Sequence, residues 1–354
     1  MPARHILSYA RDLSGGGVER ALLRLAGGWT RAGRRVTLVL GDAHGPLAAE
    51  LPSGVDLVDL GRASMRVLAA ATPRAVRARA PDVLFCPGNH YTSIAALTRL
   101  RLGRRCPPIV AKMSNAARRG DHGALVDAGH RVWLRTHRRF LDHLVAMTPA
   151  TAAQAAAATG MAGRVSAIPN PPAMPVPGAP PPPLPPAPFI LGVGRLVPQK
   201  RWDRLIAAMP ALPDVPVVIL GEGPERGRLL RQAHALGVAD RLHLPGHAVN
   251  PLPAMARAAV LALPSDYEGV PGVLSEALSV GTPVVATDSS PAVREIVSSP
   301  ALGTVVARDD AAGLATALRH RLAAARPAPV PLPGSDSAER YLDLFDRLTT
   351  SPRP

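Results

Sequence analysis

SDYEGVPGVLSEALSVGTPVVATD, residues Ser265 to Asp288, reads as the end of a strand, a glycine and proline turn, a helix, and the next strand. A turn of that composition cannot begin inside a helix. The helix is therefore placed to start near Gly272, with its first backbone N–H groups aimed back into the loop. Such a terminus carries about half a positive charge together with unpaired donors, which suits a phosphate group. Glu268 in the loop and Glu276 in the helix flank it, with seven residues between them. Facing a phosphate they would repel it, so they are read as acceptors for hydroxyls on either side of it, one from a sugar and one from a ribose. Taken alone, the spacing is that of any capped helix, and the rest of the chain has to decide.

A chain of 354 residues with 47% hydrophobic content is too long for one ordinary domain and can bury two cores. Cys86 and Cys106 give neither a metal spacing nor a disulfide framework, which points to a reducing cytoplasm. No apolar run reaches bilayer length, and the first residues lack a signal-peptide core, so a soluble or peripheral protein is expected. Charge is uneven. Residues 1 to 170 carry 24 Lys+Arg against 10 Asp+Glu, whereas residues 171 to 354 carry 17 against 16. A basic first half attracts nucleic acid, an anionic membrane or a phosphorylated acceptor. Scarce aromatics, at 3%, and the lack of a zinc or helix-turn-helix signature argue against nucleic acid. Arg99, Arg101, Arg104 and Arg105, mixed with Leu100, Leu102, Pro107 and Pro108, and then Arg118 and Arg119, read as a headgroup-level surface.

In chain order, a short buried strand at residues 5 to 9 leads through Ser14-Gly15-Gly16-Gly17 into a helix from Val18 to about Arg31. Consecutive glycines are not a GxGxxG fingerprint, yet they let a ligand approach the backbone. Strand runs recur at 36–40, 55–60, 83–86, 109–113 and 143–147 with helical patterns between them, which implies a parallel sheet covered on both faces. From 171 to 188 eleven of eighteen residues are proline, so a semi-rigid linker is expected there. A second alternating unit starts at Phe189, with strands at 189–194, 217–220, 241–244, 260–263 and 284–287. It puts Arg195 and Lys200 at a strand's carboxyl end, where open α/β sheets bind ligands. Lys112 and Lys200 are the only lysines. The tail places Tyr341, Leu342, Phe345 and Leu348 on one helical face that needs a partner, expected back across the linker on the first domain.

These motifs, DLSGGGVER, IPNPP, GVGRLVPQKRWDRLI, ILGEGPERGRLL, the long block through SDYEGVPGVLSEALSVGTPVVATD, and AERYLDLF, resemble those of the family 4 glycosyltransferases across essentially the whole chain. The resemblance implies the GT-B fold, two Rossmann-like α/β parallel-sheet domains facing a cleft. They are divided as an acceptor-side domain at 1–170, a linker at 171–188, a nucleotide-sugar domain at 189–334 and a C-terminal helix at 335–354. It further implies a retaining enzyme that moves a sugar from a nucleotide sugar to a lipid-linked or polysaccharide acceptor with no cofactor, while the basic first half points to an anionic membrane surface and the lack of an Asp-x-Asp motif at a strand end indicates no metal site. Arg195 and Lys200 would hold the diphosphate, and Glu276 the ribose. Glu268 would contact the sugar and, with the two cations, count as catalytic. The segment Gly269, Val270, Pro271, Gly272, Val273 and Leu274 would offer backbone donors. His247 would lie near the base, and Gly16 and Gly17 would approach the diphosphate. Asn89, His90, Ser114 and Asn115 are assigned to the acceptor side.

Two departures stand out. Many members have Phe-Gly after the Glu-Gly pair where this chain has Val270-Pro271-Gly272. A histidine often follows the fifth strand where this chain has Met113-Ser114-Asn115, leaving Ser114 or Asn115 to replace its contact with the donor sugar. The alternative within the same fold is a sugar-nucleotide epimerase. A pyridoxal-dependent phosphorylase would need a Schiff-base lysine from only two candidates.

Overall fold

The computed structural model describes residues 2–14, 16–114, 124–172 and 182–350. Asn115, Arg118, Arg119 and residues 173–181 of the proline-rich stretch lie outside them. The chain divides into two units, residues 1–172 with 333–354, and residues 173–332.

In the first unit seven strands pair in parallel: β1 (His5–Ala10), β2 (Arg35–Leu40), β3 (Asp56–Asp59), β4 (Val83–Cys86), β5 (Ile109–Lys112), β6 (His143–Ala146) and β7 (Val165–Ala167). Their order is β3-β2-β1-β4-β5-β6-β7. β1, β4 and β5 are buried along their whole length, which is why they read as unbroken apolar runs, whereas the edge strand β3 alternates. Local chemistry sets the helix ends. Thr148 and Thr151 form a reciprocal capping box ahead of the alanine-rich helix Pro149–Thr159, which stops at Gly160 in the left-handed region.

The C-terminal helix Ser337–Thr350 belongs to this unit and packs on the helix Gly17–Arg31. Gly28 makes room for Ala338, while Asp346 accepts from the Ala3 amide at 2.7 Å and pairs with Arg34 at 2.9 Å. Trp29, Phe85, Tyr341 and Phe345 meet edge to face, with Trp29 ring centroids 5.2 Å from Phe85 and 5.3 Å from Phe345. The surface expected around residues 99–108 is narrower than its composition implied. Arg99 pairs with Asp142, and Leu102, Pro107 and Pro108 are buried, leaving Leu100 at 81% exposure beside Arg101 and Arg105.

The second unit has six parallel strands, β8 (Ile190–Val193), β9 (Val217–Leu220), β10 (Leu242–Gly246), β11 (Val260–Leu263), β12 (Val284–Thr287) and β13 (Gly303–Val306), in the order β10-β9-β8-β11-β12-β13. Alternate residues feed two cores. Ile190, Val217, Ile219 and Val260 point to one face, and Leu191, Val218, Leu220 and Leu261 to the other. The later part of the proline-rich stretch is not a free spacer. Leu184 packs on the second of these cores and Arg257 donates to the Pro185 carbonyl at 3.2 Å, because the row of exposed carbonyls there needs donors.

In both sheets the chain first builds outward on one side and then crosses to the other. The switch falls between β1 and β4 in the first unit and between β8 and β11 in the second. At such a point the two adjacent crossovers leave on opposite faces, opening a crevice at the strands' carboxyl ends.

Candidate functional site

At the switch point of the second sheet, the loop after β8 carries Arg195 and Lys200, and the loop after β11 carries Glu268. Two glycines beyond β9 let these loops close. A Cβ on Gly221 would collide with the Gly194 carbonyl, and one on Gly223 with the Leu196 carbonyl. Leu196 then donates to the Glu222 carbonyl at 2.8 Å and accepts from the Glu225 amide at 3.0 Å, and the Arg195 carbonyl accepts from the Trp202 indole at 3.0 Å. The backbone of Arg195 is thus fixed, while its side chain is exposed and makes no ion pair among the described residues.

The turn at residues 198–201 is stitched to the turn at 265–268. Gln199 accepts from the Asp266 amide at 3.0 Å and donates to the Tyr267 carbonyl at 2.8 Å. Arg201, in the left-handed region at φ 50, pairs with Asp203 and Asp266, and these bonds hold its guanidinium charged. Between the two turns Lys200 Nζ meets Glu268 Oε1 at 2.7 Å, with 15% and 10% of the side chains exposed. Ser265 Oγ donates to the same oxygen at 2.6 Å. One of three ammonium donors is spent this way and the carboxylate's charge is balanced, so an incoming anion meets a cation without a bare acid beside it.

The helix begins at Gly272, with exposed Gly272 at its first position and Leu274 donating back to the Pro271 carbonyl at 3.0 Å. Gly269, Val270 and Val273 are half-buried, and Pro271, which lacks an N–H, is buried at the N-cap. Glu276 is half-buried, with its carbonyl accepting from Ser279 Oγ at 2.7 Å. His247 is exposed just after Gly246, beyond β10.

In the first unit, the loops after β1, β4 and β5 bring together residues that lie up to 100 positions apart in the chain. Gly16 and Gly17 are exposed at the start of the helix Gly17–Arg31, with open space over Gly17. The space over Gly16 is filled by the carboxylate of Glu19, a residue the sequence reading passed over although it stands in the glycine-loop motif itself. Tyr91 donates to Glu19 Oε1 at 3.0 Å, and His90 Nε2, half exposed, lies 3.8 Å from it. Burial pushes the Glu19 carboxyl up, but the hydrogen bonds from His90, its own backbone amide and Tyr91 prevail and hold it below the usual carboxylate range. Asn89 Oδ1 accepts from the Ser114 amide at 2.7 Å, and Ser114 Oγ donates to the Pro87 carbonyl at 3.3 Å. Asn115 is outside the described residues.

Beneath this patch Lys112, 2% exposed, donates to Asn170 Oδ1 at 2.7 Å. Burial pushes the ammonium down to about 7, against the nearby charge of Glu19, which favours the protonated form. Asp42 and His44, after β2, and Asp59, the last residue of β3, form a group of metal-ligand type, with His44 and Asp59 exposed.

Residues 15–171 match the family model for Glycosyltransferase Family 4, and residues 182–325 match that for Glycosyl transferases group 1. A lipopolysaccharide core biosynthesis glycosyltransferase, LpsE of Rhizobium meliloti, is 33% identical over 136 residues, which is 38% of this chain and 40% of that protein. The chain spans less than half the length of the curated relatives it matches. Among solved structures, sucrose-phosphate synthase from Thermosynechococcus elongatus superposes with a TM-score of 0.74 at 18% identity, over 98% of this chain and 96% of that one. Anabaena HepE in complex with UDP-glucose gives 0.68 at 19% identity, over 98% and 96%. At these identities the likeness establishes the fold.

Proposed function

The chain belongs to the family 4 glycosyltransferases of GT-B fold, and from that premise we propose that it moves a hexosyl group from a nucleoside diphosphate sugar to a lipid-linked or polysaccharide acceptor of the cell envelope, with retention of configuration. The observation that carries this reading is the Lys200–Glu268 pair beside Arg195, which makes no ion pair among the described residues, at the second sheet's switch point. As the bond from the sugar's anomeric carbon to the β-phosphate breaks, negative charge grows on the leaving diphosphate. Arg195, anchored through its backbone, and the remaining donors of Lys200, held by Glu268, are positioned to receive that charge, which is how such groups lower a barrier. Glu268, held by Lys200 and Ser265, accepts from the sugar, Glu276 takes the ribose, and His247 lies toward the base. The amides of Gly269, Val270, Gly272 and Val273 supply further donors. Asn89, His90 and Ser114 serve the acceptor, whose hydroxyl proton leaves on the departing phosphate. The reaction then needs no cofactor beyond the donor.

A thermal-shift panel of UDP, GDP and their sugar conjugates tests this. One of these nucleotides, at a hundred times its dissociation constant, adds about 2.7 kcal/mol to stability, and its conjugate is consumed when acceptor is present. If no nucleotide shifts the transition, the reading is wrong.

The acceptor side is proposed to rest peripherally on the inner face of the plasma membrane, with the body of the protein in the cytoplasm. No helix of the described residues is long and apolar enough to cross a bilayer. What supports contact with headgroups is the helix Ala124–Thr136, where Val126 and Val132 are 58% and 67% exposed in company with exposed Arg131 and Arg135. Cosedimentation with phosphatidylglycerol vesicles at low ionic strength, reversed by salt and weakened by Arg131→Glu with Arg135→Glu, is the expected result. Equal binding to neutral vesicles would remove the electrostatic part of the claim.

A further inference from the structure

Around Glu268 the second unit uses its buried hydroxyls fully, with two exceptions. Ser265 Oγ donates to Glu268, Thr287 Oγ1 to the Ser265 carbonyl at 2.5 Å, and Thr282 Oγ1 to the Met255 carbonyl at 2.5 Å. Ser289 and Ser290 follow β12 after Asp288, each is 7% exposed, and neither Oγ has a hydrogen-bond partner among the described residues. Buried hydroxyls without partners are rare, because the group gives up its water and gains nothing in return. A structural use is at hand for Ser290, which occupies the N-cap of the short helix Pro291–Ile296, yet its side chain makes no capping bond.

Their position is as telling as their state. The Glu268 amide donates to the Ser289 carbonyl at 3.0 Å, so the loop holding the carboxylate lies directly against the serine pair. β8, β11 and β12 are neighbours in the sheet, and their carboxyl ends carry Lys200, Glu268 and the two serines in that spatial order. Reading outward from the cation, phosphate chemistry gives way to a carboxylate and then to free hydroxyls. A hydroxyl both donates and accepts and turns between three staggered positions, and a sugar hydroxyl is its natural complement.

We propose that Ser289 and Ser290 are specificity-determining residues that bind ring hydroxyls of the hexosyl group on the donor, beside Glu268, and so set which sugar is accepted. This rests on the donor reading given above. A site built to hydrogen-bond a particular hydroxyl discriminates strongly against a sugar that lacks it or presents it on the other side of the ring, because its own polar groups are then left unpaired.

The test is Ser289→Ala, Ser290→Ala and the double variant, each assayed with UDP-glucose, UDP-galactose, UDP-N-acetylglucosamine and GDP-mannose. Without nucleotide, the variants melt at or above the temperature of the parent, since alanine removes no bond. Affinity for the nucleoside diphosphate alone is unchanged, while kcat/KM for the preferred donor falls about tenfold or more and its ratio to the other donors narrows. Unchanged donor ratios in the double variant overturn the proposal. So does a drop in melting temperature on Ser→Ala, which would reveal a structural bond. If the parent chain itself binds no nucleotide, the donor reading fails first and this inference fails with it.

Discussion

Lys200→Met lowers kcat/KM by about a hundred- to a thousandfold and also destabilises the second unit by about 3 kcal/mol, because the same ammonium serves two ends. Toward the ligand it is a charge fixed where the leaving group becomes negative. Toward the protein it balances Glu268, whose side chain is only 10% exposed and would otherwise be a lone carboxylate in a turn. The two roles separate in a cycle. Adding Glu268→Gln to Lys200→Met removes the orphaned charge and restores most of the stability, but leaves the rate low. Arg195→Ala is the complementary control. Its exposed guanidinium pairs with nothing among the described residues, so it costs rate without stability. Steady-state kinetics beside urea denaturation reads both columns. A Lys200→Met enzyme that loses stability but keeps kcat/KM would reduce the lysine to a structural counter-ion.

That double role shows how far the sequence could be read. Val83 to Cys86, Val217 to Leu220, Val260 to Leu263 and Val284 to Thr287 fold with the bounds their apolar runs announce, because a central parallel strand buried on both faces leaves no other reading. β7, Val-Ser-Ala, and β13, Gly-Thr-Val-Val, gave no such signal. They are short edge strands, made into strands by the neighbour they pair with rather than by their own composition. At the site, residue types and positions relative to strand ends were legible. Pairings were not, since Lys200 and Glu268 are 68 residues apart and only folding brings the two turns together. The same limit made Arg99 look like surface when Asp142, 43 residues on, claims it, whereas Glu19 was passed over inside the glycine-loop motif itself. Ser289 and Ser290 were unreadable for a different reason. Their significance lies in bonds they do not make, and a sequence has no way of writing that.

The tail argues the same point in energy. Tyr341, Leu342, Phe345 and Leu348 announce an amphipathic helix whose partner is expected back across the linker on the first domain, but not that Trp29 and Phe85 supply it. Phe345 is fully buried between those rings, so Phe345→Ala removes a whole aromatic side chain from a closed core and is expected to cost about 3–5 kcal/mol. The loss should be local, because the second unit has its own two hydrophobic clusters and shares none of these contacts. Hydrogen exchange resolves it: amides of β1, β2 and β4 and of the helix Gly17–Arg31 lose protection in the variant, while those of β8, β9, β11 and β12 keep it. A milder Phe345→Leu change should recover most of the difference by refilling the volume. Equal loss of protection in both sheets would mean that the two cores unfold as one, and the C-terminal helix would then be stabilising far more than the unit it packs on.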